Sequence, residues 1–144
     1  MSKYVERELV KELGASSKEY PVVSILGPRQ SGKTTLVKAC FPDKDYISLE
    51  NLNNREYAYN DPQAFLENYA HGAIIDEVQR VPELLSYLQQ SVDEDASPGR
   101  FILTGSNQYL LQEKLTQSLA GRISLLRLLP FTLEELQKTK EKTL

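Results

Sequence analysis

The sequence predicts an α/β protein in which a parallel five-stranded sheet lies between two layers of helices. Three observations predict it. Five short apolar runs, near 21–26, 45–49, 72–76, 100–105 and 123–129, alternate with stretches of helical periodicity. Several runs are almost continuous in Val, Ile and Leu, as strands buried on both faces are. A glycine-bounded turn, Gly27-Pro28-Arg29-Gln30-Ser31-Gly32-Lys33-Thr34-Thr35, joins the first run to the helical stretch that follows. Right-handed crossovers then give a three-layer α/β/α sandwich. No repeat, low-complexity stretch or second compositional regime interrupts residues 1–144, so one domain is expected. Residues 1–20 read as an N-terminal helix and connector, and 21–144 as the α/β core.

In chain order, Val5, Leu9, Val10 and Leu13 fall on one side of a first helix, with Gly14 available as its C-terminal cap. Ala15 to Tyr20 is then a connector, and Pro21 opens the first strand at a tolerated position. Tyr20 is either a base-stacking residue or an ordinary packed tyrosine.

The turn after Val22-Val23-Ser24-Ile25-Leu26 fits G-x-x-x-x-G-K-[ST], and each fixed letter has a mechanical reason. Gly27 and Gly32 permit φ > 0 and close approach of backbone to a ligand. The loop's N–H groups form a nest for an anion, and the helix starting near Gly32 adds its positive end. Lys33 can reach β- and γ-phosphate oxygens, the Thr34 hydroxyl is placed to ligate Mg²⁺, and Thr35 lies within reach of an α-phosphate. At average residue usage the pattern arises by chance at ~4 × 10⁻⁵ per position, about half a percent over this length. The helix after it carries Leu36, Val37 and Cys40 at helical spacing.

Phe41 to Asp45 is a turn, Tyr46-Ile47-Ser48-Leu49 a short strand, and Glu50 to Tyr59 is polar and ambiguous. Asp61-Pro62 starts a helix as N-cap and N1, with Phe65, Leu66 and Tyr69 on one face and His71-Gly72 at its end. His71, in a turn beside glycine, reads as an exposed histidine.

Ala73-Ile74-Ile75-Asp76-Glu77 is the second chemical centre. An apolar strand ending in two acids suits the ligand-binding rim of a parallel sheet, although a strand-end helix cap has the same appearance. With the loop upstream, Asp76 is assigned to Mg²⁺ beside Thr34, and Glu77 to aligning and deprotonating an attacking water. Val81, Leu84, Leu85, Leu88 and Val92 mark the next helix with Pro82 in its first turn, followed by a polar loop over Ser91 to Gly99. The strand Phe101-Ile102-Leu103-Thr104 ends in Gly105-Ser106-Asn107-Gln108. Ser106 and Asn107 are candidates to contact the γ-phosphate or the water; a turn or helix cap competes with that reading. Leu110, Leu111, Leu115 and Leu119 form a further helical face stopped by Ala120-Gly121. Ile123 to Leu129 is the fifth strand, and Thr132 with Glu135 makes a capping box for a last short helix.

Composition narrows the classes. A net charge of −3 and pI near 5.3 give no general attraction to nucleic acid or acidic membranes. Cys40 is the single cysteine, which excludes an intramolecular disulfide and fits a reducing compartment. No apolar run approaches the ~18–20 residues of a membrane span. The N-terminus lacks the apolar core of a secretion signal, so a cytoplasmic protein is expected.

Taken together, Gly27 to Thr35, Ile74 to Arg80, Leu103 to Ser106, Leu119 to Arg122 and Leu128 to Phe131, running into Leu133 to Leu136, resemble AAA-type P-loop ATPases of the bacterial and archaeal group with the Gly-Pro-Arg-Gln-x-Gly-Lys-Thr-Thr motif. The resemblance covers nearly the whole chain. It implies ATP as substrate, Mg²⁺ as cofactor and the strand order 5-1-4-3-2. It also implies that Arg122 either reaches a neighbouring subunit's γ-phosphate, with self-association, or pairs at a helix end. Arg29 either touches nucleotide or braces the loop. Members of that group usually continue into a helical segment and a large C-terminal domain, so this chain is expected to be an excised ATPase core or a brief member.

The leading function is therefore Mg²⁺-dependent ATP hydrolysis coupled to a conformational or remodelling task on an unidentified protein partner. The alternative is a non-hydrolysing or very slow nucleotide switch. Transfer to a small acceptor is disfavoured by Glu directly after Asp, and a GTPase by the lack of an Asn-Lys-x-Asp string. No sequence feature supports a nucleic-acid module.

Overall fold

The computed structural model describes residues 3–28 and 32–128, with side chains from residue 7 onward. The strands are β1 (Val22–Leu26), β2 (Asp45–Ser48), β3 (Ala73–Asp76), β4 (Phe101–Gly105) and β5 (Ile123–Arg127). They form one sheet, β2-β3-β4-β1-β5, with every pair parallel. This is the expected order 5-1-4-3-2. Strands β1, β3 and β4 are buried along their whole length, which explains their unbroken apolar character.

Alternation along the strands divides the core into two. Val23, Ile25, Ile74 and Ile102 pack with Leu9 and Leu13 of α1 (Lys3–Glu19) and Val37 of α2 (Lys33–Cys40). On the other face, Val22, Leu26, Ala73, Ile75, Phe101 and Leu103 pack under four helices: α3 (Leu52–Asn60), α4 (Pro62–Glu67), α5 (Leu84–Glu94) and α6 (Tyr109–Leu119).

Several local expectations are corrected. Gly14 does not end α1, which continues to Glu19. A glycine inside a helix costs roughly 1 kcal/mol relative to alanine. Here the following turn is held by tertiary contacts: Leu13 is fully buried, and the Ser16 hydroxyl meets that of Ser124 on β5 at 2.8 Å. Val10 points outward at 41% exposure, and Leu110 at 68%, so the inward faces are Leu9–Leu13 and Leu111–Leu115–Leu119.

The ambiguous stretch after Glu50 is helix α3, started by Asn51 Oδ1 accepting from Asn54 N at 3.1 Å. Asp61 caps α4 with Pro62 in its first turn, as expected. Pro82 precedes α5 rather than lying in it, and α5 persists to Glu94, so the polar loop is shorter than expected. Of the two loop glycines only Gly32 has positive φ, at 84°, where it is the N-cap of α2. The expected end of the fifth strand at Leu129-Pro130 and the Thr132–Glu135 capping box lie outside the described residues, as do Arg29, Gln30 and Ser31. No described helix is long and apolar enough to cross a membrane.

Candidate functional site

Parallel strands deliver all their carboxyl ends to one rim of the sheet, and most of the predicted site residues meet there. Gly27 leaves β1 with its N–H donated to Gly105 O at 3.1 Å, which ties the start of the loop to the end of β4. Helix α2 then begins at Lys33, with no side-chain cap and no acid in its first turn. Among the described residues its first turn thus has no side-chain cap, and a helix start of that kind suits a negatively charged group.

Lys33, only 4% exposed, donates to Pro28 O at 3.3 Å and lies 3.8 Å from Glu77 Oε1. Thr34 Oγ1 donates to Asp76 Oδ1 at 3.0 Å across 42 positions of sequence. That contact joins the two motifs, and the hydroxyl–carboxylate pair has the oxygen donors a hard dication requires. Thr35 is exposed on α2 and Pro28 is exposed in the loop. Ser106 Oγ is buried without a hydrogen-bond partner, a group that a phosphate oxygen or water would satisfy. Asn107 Oδ1 instead accepts from Gln112 Nε2 at 2.6 Å, so its acceptor is turned to α6, the helix that follows it.

The site contains three residues that periodicity did not reveal. Tyr46 donates to Asp76 Oδ2 at 2.5 Å. Burial, followed by this hydrogen bond to a carboxylate, holds its phenol well above the ordinary range, so it remains a donor. Thr104 donates to Asp76 Oδ1 and accepts from Glu77 N at 3.1 Å. Gln79 donates from Nε2 to Glu77 Oε2 at 2.5 Å and accepts at Oε1 from Ser106 N at 3.3 Å. Thr104 carried a readable signal, a polar residue closing an apolar strand at the ligand rim. Tyr46 and Gln79 carried none; the pairing of Ser48 with Asp76 in the β2–β3 register brings Tyr46 near.

Glu77 is the only described non-glycine residue with positive φ, at φ 62° and ψ 50°. Such a backbone costs on the order of 1–3 kcal/mol and persists where its surroundings over-determine it. Here Thr104 holds its N–H, and a 3-10 turn, Val78–Arg80, follows immediately.

Arg122 does not join the rim. It sits at the amino end of β5, with its carbonyl accepting from Val22 N at 3.1 Å. Its guanidinium grips Asp93, Nε to Oδ1 at 2.5 Å and Nη2 to Oδ2 at 3.2 Å, and it also donates to Ala120 O. It is thus the length of a strand away from its own loop. Tyr20 lies at the same amino rim, five strand residues from Gly27 and half-buried.

The family described as AAA domain matches residues 19–137. An uncharacterized protein of Mycobacterium tuberculosis is 33% identical over 132 residues, covering 90% of this chain and 30% of that protein. The chain thus spans about a third of that relative's length. Domain III of the Thermotoga maritima replication initiation protein DnaA superposes with a TM-score of 0.60 at 22% identity, over 96% of this chain and 66% of that one. A Walker-type ATPase of Pyrococcus abyssi gives a TM-score of 0.56 at 18% identity, over 96% and 58%. Likeness at these identities shows the fold.

Proposed function

The chain belongs to the AAA domain family, and from that premise we propose that it binds ATP at the carboxyl rim and hydrolyses it in a Mg²⁺-dependent reaction. The observation that carries this reading is the meeting of Lys33, Thr34, Asp76 and Glu77 in one network across two distant motifs. The first-turn amides of α2 and the Lys33 ammonium bind the phosphates. Thr34 and Asp76 are the residues that would hold Mg²⁺, which when bound neutralises charge on the β- and γ-phosphates. Glu77 accepts a proton from water as its oxygen forms a bond to the γ-phosphorus; the bond to the β–γ bridging oxygen breaks, releasing ADP and phosphate. Ser106 offers a hydroxyl to the same oxygens.

Hydrolysis drives a conformational change that is transmitted to a protein partner. Arg122 contributes to turnover only between copies, since its own loop is beyond its reach. Mixed Arg122→Ala and Lys33→Ala chains should then recover activity that each lacks alone.

The test is thermal unfolding with and without ATP and Mg²⁺. At ligand 100-fold above Kd, linkage adds about 2.7 kcal/mol, which at this chain length is roughly 5–11 °C. Lys33→Ala should lose that shift, and an undiminished shift would refute the site. Glu77→Gln should keep the shift and lose phosphate release. Equal, slow release by both forms would favour a nucleotide switch over an ATPase.

A further inference from the structure

We infer that Gln79 is a positioning residue that ties the Glu77 carboxylate to the phosphate-facing end of β4. The inference rests on the reading of Glu77 as the group that activates water, and it names a control on that group.

One donor in the bridge is fixed. Ser106 follows β4, and its backbone N–H points at the Gln79 amide, with N to Oε1 at 3.3 Å. A backbone N–H can only donate, so the amide must present its oxygen there. Its NH₂ must then face the other way, where it meets Glu77 Oε2 at 2.5 Å. The polarity of the bridge is therefore set by the Ser106 backbone, and the bridge offers a donor to Glu77.

Space has been left for it. Gly105 precedes Ser106, and a methyl group at Gly105 would stand 3.1 Å from Gln79 Oε1 and 2.7 Å from Leu111 Cδ2. The turn that carries Gln79 is closed by Arg80 N donating to Glu77 O at 3.1 Å, which folds the Gln79 side chain back over Glu77.

The arrangement has a consequence once nucleotide binds. Among the described residues Glu77 has two side-chain holds, Lys33 at 3.8 Å and Gln79. Phosphate draws the Lys33 ammonium to itself, and Gln79 then remains as the hold on Glu77. Its other end is anchored on Ser106, the residue whose unpaired hydroxyl stands ready for the phosphate. A shift of the β4 end on phosphate contact is thus passed to the carboxylate through one side chain. A misplacement of about 1 Å in a reacting group can cost up to 10²-fold in rate.

The experiment compares Gln79→Leu and Gln79→Glu with the parent chain. Gln79→Glu keeps an acceptor for Ser106 and loses the donor to Glu77; Gln79→Leu loses both. Both variants should lower kcat tenfold or more, with KM and the affinity for a non-hydrolysable ATP analogue within about twofold of the parent. The Ser106 amide resonance should stay near its parental position in Gln79→Glu and move in Gln79→Leu. Parental kcat in both variants would overturn the proposal. Parental kcat in Gln79→Glu alone would also overturn it, since Gln79 would then only brace β4. A fall in analogue affinity matching the fall in kcat would do the same by indicating damage to the whole site.

A parent chain that binds ATP without hydrolysing it would defeat the reading of Glu77 instead. The bridge is then decided by nuclear magnetic resonance: Glu77→Ala must shift the Gln79 side-chain amide, and an unmoved resonance refutes the link.

Discussion

Replacing Thr104 by valine keeps the shape of a fully buried side chain and removes only its hydroxyl. That oxygen makes two bonds of opposite sense, donating to the Asp76 carboxylate and accepting from the Glu77 N–H at 3.1 Å. Losing a hydrogen bond to a charged acceptor costs about 1.5–3 kcal/mol, and an orphaned, partly buried N–H about 1 kcal/mol or more. Asp76 retains Thr34 and Tyr46, which moderates the first figure. A total of roughly 2–4 kcal/mol is expected, which for a chain of this size lowers Tm by roughly 5–15 °C. Thr104→Ser keeps the hydroxyl and sheds a methyl, so it should recover all but about 1 kcal/mol. Urea unfolding of the three forms gives the comparison, and the slope must be unchanged for the midpoints to be read as stability. Should Thr104→Val unfold within 1 kcal/mol of the parent, or Thr104→Ser prove as unstable as Thr104→Val, the hydroxyl is not what holds Glu77 in its left-handed conformation.

Two further substitutions probe other parts of the fold. Ser24 lies mid-strand in β1 on the α3–α6 face, fully buried, with no partner for its hydroxyl. Ser24→Ala removes an unsatisfied polar atom and should stabilise the chain by about 1 kcal/mol, raising Tm by about 2–4 °C. A fall in Tm would show that the hydroxyl has a partner. At the amino rim, the Arg100 guanidinium donates to Ala70 O, Ser91 O, Ser91 Oγ and Asp95 O at 2.6–3.1 Å, closing the ends of α4 and α5. Arg100→Met strands these acceptors and should cost about 3 kcal/mol, while leaving ATP affinity unchanged because the loop is at the other rim. Parental stability, or lost affinity at full occupancy of the folded state, would contradict that assignment.

Much of the site was legible because its parts are local. Gly32, Lys33 and Thr34 act through adjacent backbone, so their spacing in the chain is their spacing in space. The strand ending in Asp76-Glu77 was equally plain, since burial on both faces writes an unbroken apolar run that two acids close. The helix over Leu52–Asn60 was not legible, as it buries only Ala58 and so carries no periodic stripe. The continuation of α1 past Gly14 was hidden for a related reason: what holds it is a serine on β5, 108 positions away.

By itself, then, the amino-acid sequence determined the layered α/β class, the five strands and the glycine-bounded connection from β1 to α2, because period, burial and glycine conformation act over a few residues. Tertiary structure alone decided that Tyr46 and Thr104 share Asp76 with Thr34, that Gln79 spans Glu77 and Ser106, and that Arg122 is clasped by Asp93 at the far rim. Those contacts join polar side chains whose partners are chosen by strand register and helix placement, and such polar pairs leave no periodic pattern in the chain.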